Sequence, residues 1–549
     1  MYYKLKKIFS QTKGRYNMEN KNLNNEKNLE KFVVEEMAGF ETEKVGVDKK
    51  LPIIKELKEV SKKMQKKQQK QLKIEKKLKK QALDDVLSED KFSKNVINLR
   101  ENALKKQSKK DKQNNKRIEK SNKYLLSKED EVREIYLTID KFNTNGKKTV
   151  VYFIDSFFPL IDGVVAVLDN YARVMNKYYN VVVCAPKHDG VGQKMDNYFV
   201  LYADSIFIKS QGYDLAFPQF DSNFKKYISL LKIDLIHLQS PFNLGNFGLN
   251  LAKKRNIPCF ITFHSQFKQN FYNAVKNEMI ANILTKILMV NYEKATLALT
   301  MNEFAKNLMR EYGVKNQIEL VPNATNMKPK EFSKEYEDEI IAKHKINKEK
   351  FNLIFVGRFV EVKNVYFIID TIADLYEKNK DFEFIFLGFG PEEEKMRKIC
   401  KEKGIENIVK FTGKIDSVDE KSAIIKNADL LYFPSIYDTD GIVKIECACY
   451  GVPTLCIEGT GAASYIVNDE NGFVCKNDKN EFVEKLDFLI KNVDFVKKIG
   501  KNAKRDIYIT WEETCERLKI LYEKYLNSYT FQKAKKNKNK TTKKTEVKS

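Results

Sequence analysis

Asp429-Leu-Leu-Tyr-Phe-Pro434, followed closely by Tyr437-Asp-Thr-Asp-Gly-Ile-Val-Lys-Ile-Glu-Cys-Ala-Cys-Tyr-Gly-Val-Pro453, is the stretch that decides the fold. The first segment is a short apolar run and predicts a buried strand. Gly441 opens an amphipathic run that Gly451-Val-Pro453 closes, which predicts a helix. A strand, a glycine turn and a helix present unpaired backbone N–H groups at the helix N-terminus, where the helix dipole also favours an anion. One carboxylate, Asp438, stands before the turn, and a second, Glu446, stands eight residues on. An anion-binding turn flanked by two hydrogen-bond acceptors suits a ligand that carries both phosphate and sugar hydroxyls.

The same texture extends outward in both directions. From Lys147 it begins with the apolar segment Thr149-Val-Val-Tyr-Phe-Ile154, the loop Asp155–Gly163 and a helix from about Val164. Asn180–Pro186, Leu235–Leu238 and Pro258–Phe263 repeat the pattern of apolar strand, loop and helix. After Pro322 it restarts with Phe351–Val356, Phe382–Leu387, Val409–Phe411, Leu430–Phe433 and Pro453–Ile457. Strands alternating with helices predict parallel, doubly wound sheets, and the restart predicts two of them in tandem.

Further motifs fall at the ends of these strands. In Val356-Gly-Arg-Phe-Val-Glu-Val-Lys-Asn364 the cations Arg358 and Lys363 follow a buried strand. Arg can grip a diphosphate as a fork and Lys as a point charge. Gly388-Phe-Gly-Pro391 ends the next strand and lacks the full Gly-x-Gly-x-x-Gly of a dinucleotide site, which argues against an NAD enzyme. In the first half, Pro159-Leu-Ile-Asp-Gly-Val164 is a strand-to-helix loop in which Gly163 lets backbone N–H groups approach a phosphate. His264 lies in Thr262-Phe-His-Ser265 and His237 in Leu235-Ile-His-Leu238, each at a strand end.

Together these segments resemble glycosyltransferase family 4, retaining enzymes of the GT-B fold, over roughly residues 147–527. The family pattern is Glu-x7-Glu, a small-residue helix and Gly-x-Pro. Here the first acid is Asp438, Pro322-Asn-Ala324 replaces Pro-Asn-Gly, and Gly459-Thr-Gly-Ala-Ala463 lacks the acid often found in that loop. The resemblance implies two Rossmann-like domains facing a cleft. It divides the chain into a Lys-rich extension (1–145), an acceptor domain (146–330), a nucleotide-sugar domain (331–505), a helix crossing back to the first domain (506–527) and a basic disordered tail (528–549).

It also implies roles. Asp438, Glu446 and His264 form the catalytic set: Asp438 orients the donor hexose, Glu446 holds the ribose, and His264 lies beside the transferred sugar. Gly163, Arg358, Lys363, Gly388, Gly441, Ile442 and Val443 hold the donor diphosphate. The implied reaction moves a hexose, most simply from UDP-glucose, to a hydroxyl acceptor, by front-face transfer and without a cofactor or metal. A membrane lipid such as diacylglycerol is the favoured acceptor. Residues 267–289, with Phe271, Val275, Met279 and Ile283 among Lys and Asn, are read as an amphipathic acceptor-side helix. A soluble polysaccharide or glycoprotein transferase, and a non-catalytic scaffold with a polyanion-binding arm, remain as alternatives.

Composition bounds the rest. Hydrophobic residues make up 42% of 549, enough for sizeable cores, and no apolar run reaches the roughly 18 residues of a membrane span. The N-terminus has charge but no apolar signal core. Eight scattered cysteines without a Cys-x-x-Cys pair predict buried thiols in a reducing cytoplasm. The net charge of +24 is concentrated: residues 61–125 hold 22 Lys/Arg against 8 Asp/Glu, and 531–549 hold 8 against 1. These arms suit an anionic membrane surface on the cytoplasmic face. With few aromatics for base stacking, they do not suit nucleic acid. Leu51, Ile54, Leu57, Val60 and Met64 predict a basic amphipathic or coiled-coil helix over about 48–88.

Overall fold

The computed structural model describes residues 130–546, apart from Ile161, 189–194 and 209–212, with side chains to Tyr529. The helix expected over 48–88 and the basic stretch 61–125 lie outside the described residues. Residues 130–144 are helical.

The first sheet holds seven strands: β1 (Thr149–Phe153), β2 (Asn180–Pro186), β3 (Phe199–Ala203), β6 (Leu235–Leu238), β7 (Cys259–Phe263), β8 (Leu297–Thr300) and β9 (Ile318–Leu320). Their order is β3-β2-β1-β6-β7-β8-β9, every pair parallel. A separate antiparallel hairpin joins β4 (Ser205–Ile208) to β5 (Tyr213–Ala216). The second sheet holds β10 (Phe351–Val356), β11 (Phe382–Leu387), β12 (Val409–Gly413), β13 (Leu430–Phe433), β14 (Thr454–Ile457) and β15 (Phe473–Cys475), in the parallel order β12-β11-β10-β13-β14-β15. The sequence explains the parallel pairing. β1, β2, β10 and β13 are mostly apolar and buried along their whole length, as strands covered by helices on both faces must be.

Each sheet reverses its winding once. In the first, β1 lies between β2 and β6; in the second, β10 lies between β11 and β13. The crevice outside the carboxyl ends of the strands at such a reversal is where doubly wound folds bind ligands.

The C-terminal helix, Trp511–Glu546, belongs to the first domain's core although it follows the second. Trp511, Cys515, Leu518, Tyr522 and Leu526 recur at helical spacing and are buried with Val150, Leu168 and Tyr171. Within the segment 506–527 the helix begins at Trp511, since the preceding helix runs Val493–Asp506. One expectation changes here: the helix continues to Glu546, through most of the tail expected to be disordered over 528–549. Lys, Gln and Ala there are good helix formers, so a helix already anchored upstream propagates.

The single helix expected over 267–289 is also corrected. Phe267–Val275 ends at Lys276, which is left-handed (φ 51°), and Glu278–Lys294 starts afresh with Asn277 accepting from the Ile280 N–H. Ile283 is buried, whereas Met279 is exposed. All eight cysteines are buried free thiols. Among the described residues no helix is long and apolar enough to cross a membrane.

Candidate active site

Four helices start near the two winding reversals, and their N-termini differ by domain. In the first domain the Gly163–Met175 helix is capped by Asp162, whose carboxylate accepts from the Val164 and Val165 N–H groups at 2.9 and 2.8 Å. The Asn243–Arg255 helix is capped from β1: Asp155 accepts from the Leu244 N–H at 2.7 Å and, more weakly, from Gly245. Burial raises the Asp155 pKa above the ordinary carboxylate value, opposed by the hydrogen bond from Ser240 and by these N–H groups. In the second domain neither the Val365–Lys378 helix nor the Ile442–Cys449 helix has a side-chain cap or an acid in its first turn. The dipole of a helix N-terminus favours an anion. Each first-domain terminus is already satisfied by an aspartate, and each second-domain terminus is open. Gly163 therefore departs from expectation: it stays exposed, but the N–H groups beside it are engaged by its own neighbour.

Gly441 has the geometry its motif requires. Its φ is 95°, and a Cβ there would come 2.9 Å from the Phe433 ring. Only glycine turns the chain this tightly from β13 into the helix that carries Ile442 and Val443. Gly388 also has a backbone task. With φ 146°, it lets β11 approach so closely that a Cβ would meet the Gly357 carbonyl oxygen at 1.9 Å, which brings the ends of β10 and β11 together.

The loop Tyr437–Asp440 is the hub. Lys363 Nζ donates to both Asp438 carboxylate oxygens, at 2.5 and 2.7 Å. Eight residues on, Glu446 accepts from Lys421 Nζ at 2.6 Å. The two motif acids are thus each held by a lysine of the second domain. Arg358 is exposed and makes no ion pair among the described residues. The first domain reaches the same loop: Thr439 Oγ1 donates to the His264 carbonyl (2.7 Å), Asn302 Nδ2 to the Thr439 carbonyl (2.8 Å) and Asn323 Nδ2 to Asp440 Oδ2 (2.8 Å).

His264 packs at the end of β7, and its Nε2 lies 2.8 Å from Gln239 Oε1. Desolvation lowers its pKa to about 4, so the ring is neutral at physiological pH. With its proton on Nε2 facing the Gln239 oxygen, Nδ1 is left as an acceptor. His237 is structural. It is fully buried between Thr262 Oγ1 and the Tyr522 hydroxyl of the C-terminal helix, each at 2.6 Å, and desolvation lowers its pKa to about 3.

Residues 336–506 match the family described as glycosyl transferases group 1, and residues 161–328 match glycosyltransferase family 4. The chain belongs to the family 4 glycosyltransferases. Alpha-monoglucosyldiacylglycerol synthase of Streptococcus pneumoniae is 22% identical to this glycosyltransferase over 311 residues, covering 55% of the chain and 69% of that protein. The Acholeplasma laidlawii protein of the same name is 20% identical over 363 residues, covering 64% and 90%. Sucrose-phosphate synthase of Thermosynechococcus elongatus superposes with a TM-score of 0.57 at 17% identity, over 70% of this chain and 100% of that one. Anabaena HepE, solved with UDP and glucose, gives 0.56 at 14% identity, over 69% and 100%. At such identities the structural likeness speaks for the shared GT-B fold alone.

The glycosyltransferase also uses residues that sequence reasoning passed over. Asp440 and Lys444 form a buried ion pair of 2.7 Å inside the motif, 3% and 1% exposed. Lys444 Nζ donates further to the carbonyls of Asp440 and Ala462, while Asp440 reaches Asn323 in the other domain. An acid and a lysine four apart across a helix start are a visible signal, though in a chain with 99 Lys/Arg it carries little weight. Lys421 had no motif around it, and only the fold brings it to Glu446.

Proposed function

We propose that this glycosyltransferase is a retaining enzyme that moves a hexose, most simply glucose, from a UDP-sugar to a hydroxyl of a lipid acceptor of the diacylglycerol class. The observation that carries the reading is the contrast in helix N-termini. The second domain offers two uncapped termini beside Arg358 and Lys363, where a diphosphate is stabilised, and Asp438 stands next to them. Ile442 and Val443 supply backbone N–H groups, and Glu446 faces the ribose. As the bond between the anomeric carbon and the diphosphate oxygen breaks, charge builds on the leaving group, and preorganised donors there lower the barrier. The acceptor oxygen attacks from the same face and gives its proton to the leaving phosphate oxygen. Asp438 orients the hexose, the neutral His264 ring accepts from a sugar hydroxyl through Nδ1, and no metal or other cofactor takes part.

The names of two relatives, both monoglucosyldiacylglycerol synthases, support glucose and a glycerolipid, and HepE, solved with UDP and glucose, supports UDP. The Lys-rich arms support attachment to an anionic membrane on its cytoplasmic face, at about 1 kcal/mol per lysine near the surface. Calorimetry of UDP and UMP, with turnover of UDP-glucose on diacylglycerol vesicles, tests the reading. Arg358→Ala should weaken UDP by roughly ten- to a hundredfold, about 1.5–3 kcal/mol for a hydrogen bond to a charged group, and UMP less. Equal losses for both nucleotides would remove Arg358 from the diphosphate.

A further inference from the structure

Gln239 follows β6 at the winding reversal of the first sheet, where doubly wound folds bind ligands. Its backbone N–H donates to the Phe153 carbonyl at 2.8 Å. The next residue ties the same two strand ends together: the Asp155 N–H donates to Ser240 Oγ at 2.9 Å, and Ser240 Oγ donates to Asp155 Oδ2 at 2.5 Å. The side chain that leaves this braced backbone is 2% exposed, so close packing leaves it little freedom to turn. Its amide is half used. Oε1 accepts from His264 Nε2 at 2.8 Å, whereas Nε2 is buried with no hydrogen-bond partner. A buried donor left unpaired is costly, and most buried polar groups in folded proteins are paired. Here it sits beside the histidine of the candidate site.

A neutral imidazole has one N–H and one bare nitrogen, and the partner of one nitrogen decides which is which. His264 is half-buried, and among the described residues only Gln239 hydrogen-bonds its ring. An amide oxygen holds the proton on Nε2 and adds no charge. A carboxylate in its place would favour the imidazolium and draw a second proton to Nδ1. The titratable groups on neighbouring elements are engaged elsewhere. His237 of β6 bonds Thr262 and Tyr522, Asp155 bonds Ser240 and the Leu244 N–H, and Asp438 bonds Lys363. Desolvation, not a neighbouring charge, keeps the His264 ring uncharged. We infer that Gln239 is a positioning residue for hexose transfer: its oxygen fixes His264 with Nδ1 bare for the sugar, and its spare N–H is completed by a hydroxyl oxygen of the bound nucleotide-sugar's hexose. An amide N–H needs a lone pair, which a hydroxyl oxygen offers and an alkyl group does not. The inference rests on the donor reading above and adds to it a residue from the first domain.

The test uses the full-length enzyme, and its first arm needs no substrate. The chain has four histidines, so a nitrogen-15 histidine spectrum is sparse enough for His264→Gln to identify the His264 signals. At neutral pH the parent should show one neutral tautomer, Nε2 protonated and Nδ1 bare, and Gln239→Met should show a mixture. An unchanged single tautomer in Gln239→Met overturns the positioning role. The second arm is the pH profile of UDP-glucose hydrolysis over roughly pH 5.5 to 8. Gln239→Glu sets a carboxylate against Nε2 and should bring the His264 titration into this range, so activity falls on the acid side where the parent is level. The double variant Gln239→Glu, His264→Gln should be level again. A level profile in Gln239→Glu, or an inflection that survives in the double variant, overturns the coupling to His264. The third arm separates sugar from nucleotide. Gln239→Met should lower kcat on UDP-glucose about tenfold or more and leave the Kd of UDP, which has no hexose, within about twofold. Equal losses for both, or a shared loss explained by a lower Tm, overturn the sugar contact. If the parent neither binds nor consumes UDP-glucose, the donor reading falls and takes the sugar contact with it, while the substrate-free spectrum still decides whether Gln239 sets the ring.

Discussion

Lys444→Met should be among the most damaging single changes in the second domain. Lys444 and Asp440 are almost wholly buried, so the methionine leaves a carboxylate without its cation, held only by the Asn323 amide. Removing one partner of a buried pair costs about 3–5 kcal/mol, because the remaining charge stays desolvated. For a domain of this size about 2–4 °C accompanies each kcal/mol, which predicts a fall in Tm of about 6–20 °C. Asp440→Leu combined with Lys444→Met removes both charges and leaves only neutral groups unpaired, the Asn323 amide and the carbonyls of residue 440 and Ala462. That double variant should lose about 1–3 kcal/mol, less than Lys444→Met alone. Urea unfolding of the two single variants and the double gives the coupling energy directly. UDP affinity should drop in Lys444→Met too, since the pair braces the first turn of the helix that Gly441 opens. A single variant that loses under about 1 kcal/mol, or three values that simply add, would refute the claim that burial makes the pair interdependent.

Asp438→Asn should cut transfer about tenfold or more while UDP affinity holds or tightens, because it frees Lys363 from a two-pronged ion pair; weaker UDP binding in a titration would contradict this. Burial holds the folded pKa of His264 at about 4 and of His237 at about 3, below the 6.5 of an exposed imidazole. As pH falls below about 6.5 the unfolded chain binds protons that the folded chain refuses, so stability present above 6.5 declines toward pH 4. For the same reason the pH–rate profiles of the parent and His264→Gln should have the same shape between pH 5.5 and 8, and an inflection near 6.5 present only in the parent would show a protonated His264. Tyr522→Phe deprives buried His237 of a hydrogen bond and should cost about 1–3 kcal/mol in denaturant unfolding, whereas no loss would mean that His237 does not need the C-terminal helix.

Wherever local chemistry suffices, the chain's own order of residues determined the outcome. Largely apolar runs such as Thr149–Phe153 and Phe351–Val356, with no polar alternation to give a solvated face, suit a parallel sheet covered on both faces, and their alternation with helices determined two doubly wound domains. Gly441 could be read because a left-handed turn between a strand and a helix demands glycine. The strands β3, β8, β9 and β15 did not stand out in the sequence, since their runs are short and only partly apolar or partly exposed. Lys276, in a left-handed conformation that lysine does not advertise, broke a helix that the pattern 267–289 had joined.

The partners were beyond the sequence. Lys363 and Asp438 are 75 residues apart, His237 and Tyr522 are 285, and which lysine holds which acid depends on how the sheets wind and where the last helix returns. The sequence offered Gly163 and Gly441 as equivalent anion sites, each at a strand-to-helix turn. Tertiary structure separated them. Asp162 folds back on its own helix and Asp155 reaches across from the end of β1, so of the four helices at the winding reversals the two of the first domain already hold their negative charge, and the two of the second are left for a phosphate.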